Sequence, residues 1–154
     1  MREILFRGKR EEDGKWVYGS FVPDATELRG LTVEMPGFIR NYDFKHESGC
    51  KVLMHEVDRK TVGQFTGLLD KNGKKIFEGD MLKPFDDEID KMVVEFHHGA
   101  FMLCLYGERG YMGEGGWVEE GNYGVFECEP LSSYGDDIEV IGNVHDTPEL
   151  LKGE

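Results

Sequence analysis

Three cysteines, five histidines and 31 acidic residues are the groups in this 154-residue chain that could carry chemistry. The cysteines are Cys50, Cys104 and Cys128. An odd number without C-x-x-C spacing matches neither a disulfide framework nor a zinc ribbon. Cys104, within Ala-Phe-Met-Leu-Cys-Leu-Tyr, reads as a buried small hydrophobe, and reduced thiols are expected throughout. Among the histidines (His46, His55, His97, His98 and His145), His97 and His98 are adjacent. On a strand, neighbours face opposite sides, so those two cannot easily share one metal. His46, Cys50 and His55 could meet in space, but zinc needs a fourth ligand and their spacing fits no finger. No metal and no cofactor is expected.

The acidic run Asp86-Asp87-Glu88-Ile89-Asp90 fails as a calcium loop. Counted from Asp86, Lys91 stands where the sharp turn needs glycine, and His97 where the bidentate Glu belongs. A solvated loop is the reading. No G-x-x-x-x-G-K-[ST] is present, and Gly113-x-Gly115 has Val118 where a dinucleotide fingerprint needs its third glycine. There is no G-x-S-x-G, and Ser20, Ser48, Ser132 and Ser133 fall in turns or strand interiors. With so many acids, carboxylate pairs cannot be singled out by spacing. Trp16, Tyr18, Phe21, Trp117 and Tyr123 could stack on bases or sugars, but alternating aromatics on strands more commonly form core. No catalytic residue is assigned.

Charge narrows the partners. With 18 Lys+Arg against 31 Asp+Glu, the net charge is −13. Duplex binding draws on basic side chains that neutralise phosphates, and no basic block exists here. Arg7, Lys9 and Arg10 run into Glu11–Asp13, and Lys71, Lys74 and Lys75 into Glu78 and Asp80. Direct nucleic-acid binding and anionic membranes are disfavoured. The acidity reads first as solubility; the sharper alternative is an acidic surface, with Asp86, Asp87, Glu88 and Asp90 as its candidate, that binds a basic protein partner or imitates DNA. No run of 18 apolar residues suggests a membrane span. The charged start has no apolar stretch of a secretory signal, so a cytoplasmic location is expected.

The elements that would position these groups are mostly strands. Residues 2–9 and Trp16–Val22 alternate around the turn Glu12-Asp13-Gly14-Lys15, predicting a hairpin. Leu31–Met35, Phe38–Tyr42 and Lys51–Val57 are candidate strands, with 24–50 the least regular stretch. Residues 61–67 are strand-like, and Asn72-Gly73 is a strong turn signal before Ile76 and Phe77. Lys91–His97 and Ala100–Tyr106 predict a hairpin about His98-Gly99. Seven glycines in 107–124 predict a loop. Tyr123–Cys128 and 137–144 are further strands, and Thr147-Pro148 opens one short C-terminal helical turn. No 12-residue window carries helical apolar spacing. The fold class is mainly β, as one or two small, partly open barrels. One domain over 1–154 is expected, with sub-domains about 1–60 and 61–154. Edge strands leave room for a homo-oligomer.

Four segments together resemble one family. They are Glu3–Lys9 with Gly14–Ser20; Val62–Asp80, reading V-G-Q-F-T-G-L-L-D-K-N-G-K-K-I-F-E-G-D; Val93–Phe96; and Ile138–Leu151, reading I-E-V-I-G-N-V-H-D-T-P-E-L-L. The chain resembles the YopX family of phage and prophage proteins over nearly its whole length. The resemblance implies a β-rich fold encoded by bacteriophages or integrated elements, and it brings no catalytic set. Phe77–Leu82 also suits an SH3-like C-terminal barrel, by analogy of fold alone. The family motif residues are Gln64, Thr66, Gly67, Asp70, Gly73, Glu78, Gly79, Asp80, Gly142 and Asn143. Their reading is structural: glycines that open turns and aspartates that cap them. The competing reading is a ligand pocket around Gln64, Thr66, Asp70 and Glu78. The function these features imply is a non-enzymatic interaction module that binds a protein, with a nucleic-acid-related role as the alternative, either as an acidic DNA mimic or as a single-strand binder.

Overall fold

The structure, a computed structural model, describes residues 3–22, 37–46, 49–83, 92–113, 116–134 and 137–151. Leu31–Met35 and the acidic run Asp86–Asp90 lie outside the described residues. The chain is mainly β, built from antiparallel strands, and its helical pieces are single 3-10 turns. It divides into two compact units, Met1–Gly67 and Leu68–Glu154. No helix among the described residues is long and apolar enough to cross a membrane.

In the first unit, strands β1 (Phe6–Lys9), β2 (Trp16–Val22), β3 (Gly37–His46), β4 (Gly49–Val57) and β5 (Gly63–Leu69) are ordered β4-β3-β2-β1-β5. A bridge between Arg10 and Val57 draws the outer strand β4 back to the end of β1. Two backbone bonds flank it, Asp58 N to Lys9 O at 2.9 Å and Glu11 N to Glu56 O at 3.1 Å. Strands β1 to β4 therefore curl, and Ile39, Val57 and, on β5, Phe65 are buried in this unit. The curl needs close backbone approach. A Cβ on Gly19 would sit 2.1 Å from the carbonyl oxygen of Arg40, and one on Gly8 would press on Val57. Arg7 is buried with its guanidinium 4.6 Å above the Trp16 ring, which keeps a charge inside by cation–π contact. Within the 24–50 stretch, expected to be the least regular, Gly37–His46 is a strand, eight of whose residues pair with β4.

In the second unit, the last residues of β5 lead through a turn to β6 (Lys75–Phe77). Strands β7 (Asp80–Lys83), β8 (Met92–His97), β9 (Ala100–Gly113), β10 (Gly116–Pro130) and β11 (Glu139–Asn143) form a sheet ordered β10-β9-β8-β7-β11. No pairing among the described residues closes it into a barrel. One face buries Leu82, Met92, Val94 and Leu103 against Ile76, Leu131 and Ile138. Met81, Val93 and Cys104, alternate to these, are buried too. A strand covered on both sides reads as the continuous apolar run Met92-Val93-Val94.

Two expectations fail in this unit. Residues 107–113 and 116–124 are not a loop; they are strand, within the long β9–β10 hairpin. Their glycines face one another across the ladder, Gly116 opposite Gly113 and Gly124 opposite Gly107. Glycine weakens a strand but does not forbid one, and here two segments of similar length pair from Gly113–Gly116 to Met102–Pro130, with two register shifts that absorb the misfit. The cysteines are not all reduced. The same register sets Cys128 opposite Cys104, with Cα atoms 4.1 Å apart, and the two form a disulfide. Two cysteines 24 residues apart give no spacing signal, because only strand register brings them together.

Candidate functional site

The family motif is positioned by three turns. After β5, Asp70 is buried and its carboxylate is fully engaged. Oδ1 accepts the backbone N–H groups of Asn72 and Lys74, each at 2.8 Å, and Oδ2 accepts that of Val140 at 3.2 Å. Burial alone would raise its pKa; the three backbone donors, helped by Lys74, outweigh this and hold the carboxyl below the ordinary value. The N–H of Lys71 donates to Ile138 O, and the Lys71 ammonium pairs with Glu139 at 2.5 Å. One turn thus grips β11 by main chain and side chain. Gly67, Gly73 and Gly79 all lie at positive φ, between 79° and 93°.

The second turn joins β6 to β7. Asp80, 1 % exposed, accepts the Phe77 N–H at 2.8 Å. Gly79 donates to Val94 O on β8 and accepts from Val144 N beyond β11, so this tight turn is tied to two neighbours. Glu78 is half-buried beside it. The third turn follows β11. Asn143 Oδ1 accepts the N–H groups of His145 and Asp146, and Thr147 Oγ1 accepts from Asn143 N at 3.2 Å. Gly142 leaves the space that this hydroxyl fills, since a Cβ there would lie 2.2 Å from it. The 3-10 turn Pro148–Leu151 follows directly, with the Leu150 N–H bonded to Thr147 O.

Asp70, Asp80, Gly142 and Asn143 are thus brought together as the fastenings of the second unit. Gln64 and Thr66, half-buried on β5, belong to the first unit, whereas Asp70 and Glu78 belong to the second. The acidic oxygens that hold backbone N–H groups are acceptors already in use, which leaves them poorly suited to proton transfer or metal binding.

A different surface stands out on the first unit. On β4, Val52, Met54 and Glu56 point outward while Val57, on the opposite face, is fully buried. Val52 lies opposite Tyr42 and Met54 opposite Arg40 on β3. Tyr42, Val52 and Met54 are each about half exposed, and the Arg40 guanidinium stands 5.6 Å from the Tyr42 ring. Met54 also lines an open cleft with Arg10, Glu11, Glu12, His55 and Glu56. Arg10 is paired there with Asp13, which raises the pKa of the guanidinium and lowers that of the carboxyl. Sequence reasoning missed these residues. Val52-Leu53-Met54 is apolar on both faces of its strand, so alternation could not say which side meets water. Of the aromatic residues expected as core or stacking surface, Phe21 packs on Phe6, Trp16 lies under Arg7, and Tyr18 is exposed.

The chain is an all-β protein in which two buried turn carboxylates, Asp70 and Asp80, accept backbone N–H groups within the second unit. The chain belongs to the YopX family, whose model, described as YopX protein, matches residues 5–152. A similar solved structure is the crystal structure of protein EF1440 from Enterococcus faecalis, with a TM-score of 0.44 and 22 % identity over 98 % of this chain and 99 % of that one. None of the curated proteins compared matches the chain.

Proposed function

We infer that this protein is a non-enzymatic interaction module, encoded by a phage or prophage, that binds a basic protein partner. The observation that carries the reading is the double membership of Met54. It belongs to an exposed apolar row with Tyr42 and Val52, and it lines a cleft shared with Glu11, Glu12 and Glu56. An apolar anchor beside carboxylates suits a segment with one large apolar side chain flanked by Lys or Arg. The net charge of −13 favours the same kind of partner at long range. A basic partner also accommodates mimicry of DNA, with Asp86, Asp87, Glu88 and Asp90 as a second acidic contact. The protein acts in this reading by occupancy, in the cytoplasm of the bacterial host.

The test compares capture from bacterial lysate by the natural chain, by Tyr42→Ser/Met54→Ser and by Glu11→Lys/Glu12→Lys. The expected result is a basic protein held stoichiometrically by the natural chain, lost by both variants and released by salt. A partner held equally by all three, or none at all, overturns the reading. So does a low-salt gel shift of single-stranded oligonucleotides by the natural chain, which would point to direct nucleic-acid binding.

A further inference from the structure

The β8–β9–β10 ladder gathers three side chains that the turn motif and the exposed face leave unused. His97, Cys104 and Cys128 place one ring nitrogen and both sulfurs within 4.8 Å of one another. Val93 lies opposite Cys104, and Cys128 lies opposite Cys104 from the other side. Glu95 and His97 follow Val93 at two-residue steps, so they share the Cys104 face of the sheet. His97 Nε2 is engaged by the Glu95 carboxylate. That leaves Nδ1 as the nitrogen with a free lone pair when the ring is neutral. A carboxylate holding one imidazole nitrogen so that the other can ligate is the usual second shell of a metal-bound histidine.

We propose that the reduced form of this pair is a binding site for a soft divalent cation, zinc above all, with Cys104 and Cys128 thiolates and the His97 imidazole as ligands and Glu95 orienting the ring. Two thiolates and one imidazole make a tetrahedral set with a fourth position left for water. Disulfide and metal exclude each other, because the bonded sulfurs have no thiolate charge to offer. Opening the site takes a two-electron reductant such as a trialkylphosphine. It cleaves the S–S bond, takes up one water to become the phosphine oxide, and leaves two Cys–SH groups. The cation then displaces two thiol protons and accepts the neutral imidazole without a further proton change. Thiolates on one zinc stand roughly 3.8 Å apart at a Zn–S length near 2.3 Å. Directly opposed strand neighbours, with Cβ atoms about 4.5–5.5 Å apart, can supply that separation.

Cobalt titration of the full chain tests this, because tetrahedral cobalt bound by thiolate absorbs intensely where cobalt held by carboxylates does not. Reduced natural protein is expected to take up one cobalt with the thiolate charge-transfer band, and zinc is expected to bleach it stoichiometrically. Protein with the disulfide intact is expected to show no such band. His97→Ala is expected to weaken binding at least tenfold, and Glu95→Gln by about 10–100-fold, both with the fold kept by circular dichroism. Because Cys104 is fully buried, Cys128→Ser serves as the thiolate variant if Cys104→Ser fails to fold. A band of equal strength in oxidised protein, no band in reduced protein, or affinity unchanged by both His97→Ala and Cys128→Ser overturns the proposal.

Discussion

The Asp70 carboxylate holds the backbone of Val140, 70 positions further along the chain, through a 3.2 Å bond from the Val140 N–H to Oδ2. With Asn72 and Lys74 on its other oxygen, one side chain closes a local turn and anchors the strand that completes the sheet. A buried acceptor with three donors has more to lose on substitution than any exposed ion pair nearby.

Asp70→Asn is therefore expected to destabilise the protein by about 1–3 kcal/mol near neutral pH, read by urea unfolding. The folded-state pKa of Asp70 is lowered, so its contribution is complete above the unfolded carboxyl value, about 3.9, and fades as pH falls through the lower folded value. The gap between natural protein and Asp70→Asn should accordingly shrink as pH drops below about 4. A gap that stays constant into strong acid contradicts the role given to the ionised carboxylate.

Gly142→Ala should act through Thr147. The added methyl displaces the hydroxyl that bonds Asn143 on both its N–H and its carbonyl. A loss of about 1–3 kcal/mol is expected. In a Thr147→Ala background the same change should cost clearly less, since the clash and the bonds are both already gone. Additive losses would place the strain elsewhere, for example against Leu150, whose Cδ1 lies 3.0 Å from the new methyl position.

Gly19→Ala offers no such escape. Its Cβ meets the backbone carbonyl of Arg40, which cannot rotate away without parting β2 from β3. The first unit should lose at least about 3 kcal/mol or fail to fold, while a cleavable tag at either terminus leaves expression measurable. A thermal midpoint unchanged from the natural chain would show that the two strands are further apart than described.

Reduction of the Cys104–Cys128 bond should lower stability by about 3 kcal/mol in the absence of metal, as expected for releasing a loop of some two dozen residues. Denaturation curves with and without a phosphine reductant, alongside Cys128→Ser, read this directly. Identical midpoints in all three would show that the bond constrains nothing.

Much of this architecture is legible in the residues themselves. Asp70-Lys71-Asn72-Gly73 announces a turn because Gly73 accepts positive φ and Asp70 caps its own neighbours. His98-Gly99 announces the β8–β9 hairpin for a related reason, with φ of 51° and 81° at the two positions. What could not be read depends on partners distant in sequence. The β9–β10 hairpin exists because two glycine-rich segments find each other, and composition alone argues against both. The disulfide follows from that register. The outward turn of Val52 and Met54 follows from which face of β4 is buried with Val57, a choice that an unbroken apolar run leaves open.

The central claim is a division of labour, with the family motif holding the fold and the Tyr42–Met54 face holding the partner. The most direct test measures both properties in two variants, unfolding free energy and capture of the basic partner, for Asp70→Asn and for Tyr42→Ser/Met54→Ser. The account predicts that Asp70→Asn loses stability and still captures the partner under conditions where it is folded, while Tyr42→Ser/Met54→Ser keeps its stability and captures nothing. Folded Asp70→Asn that has lost the partner, or Tyr42→Ser/Met54→Ser that retains it, would contradict the account.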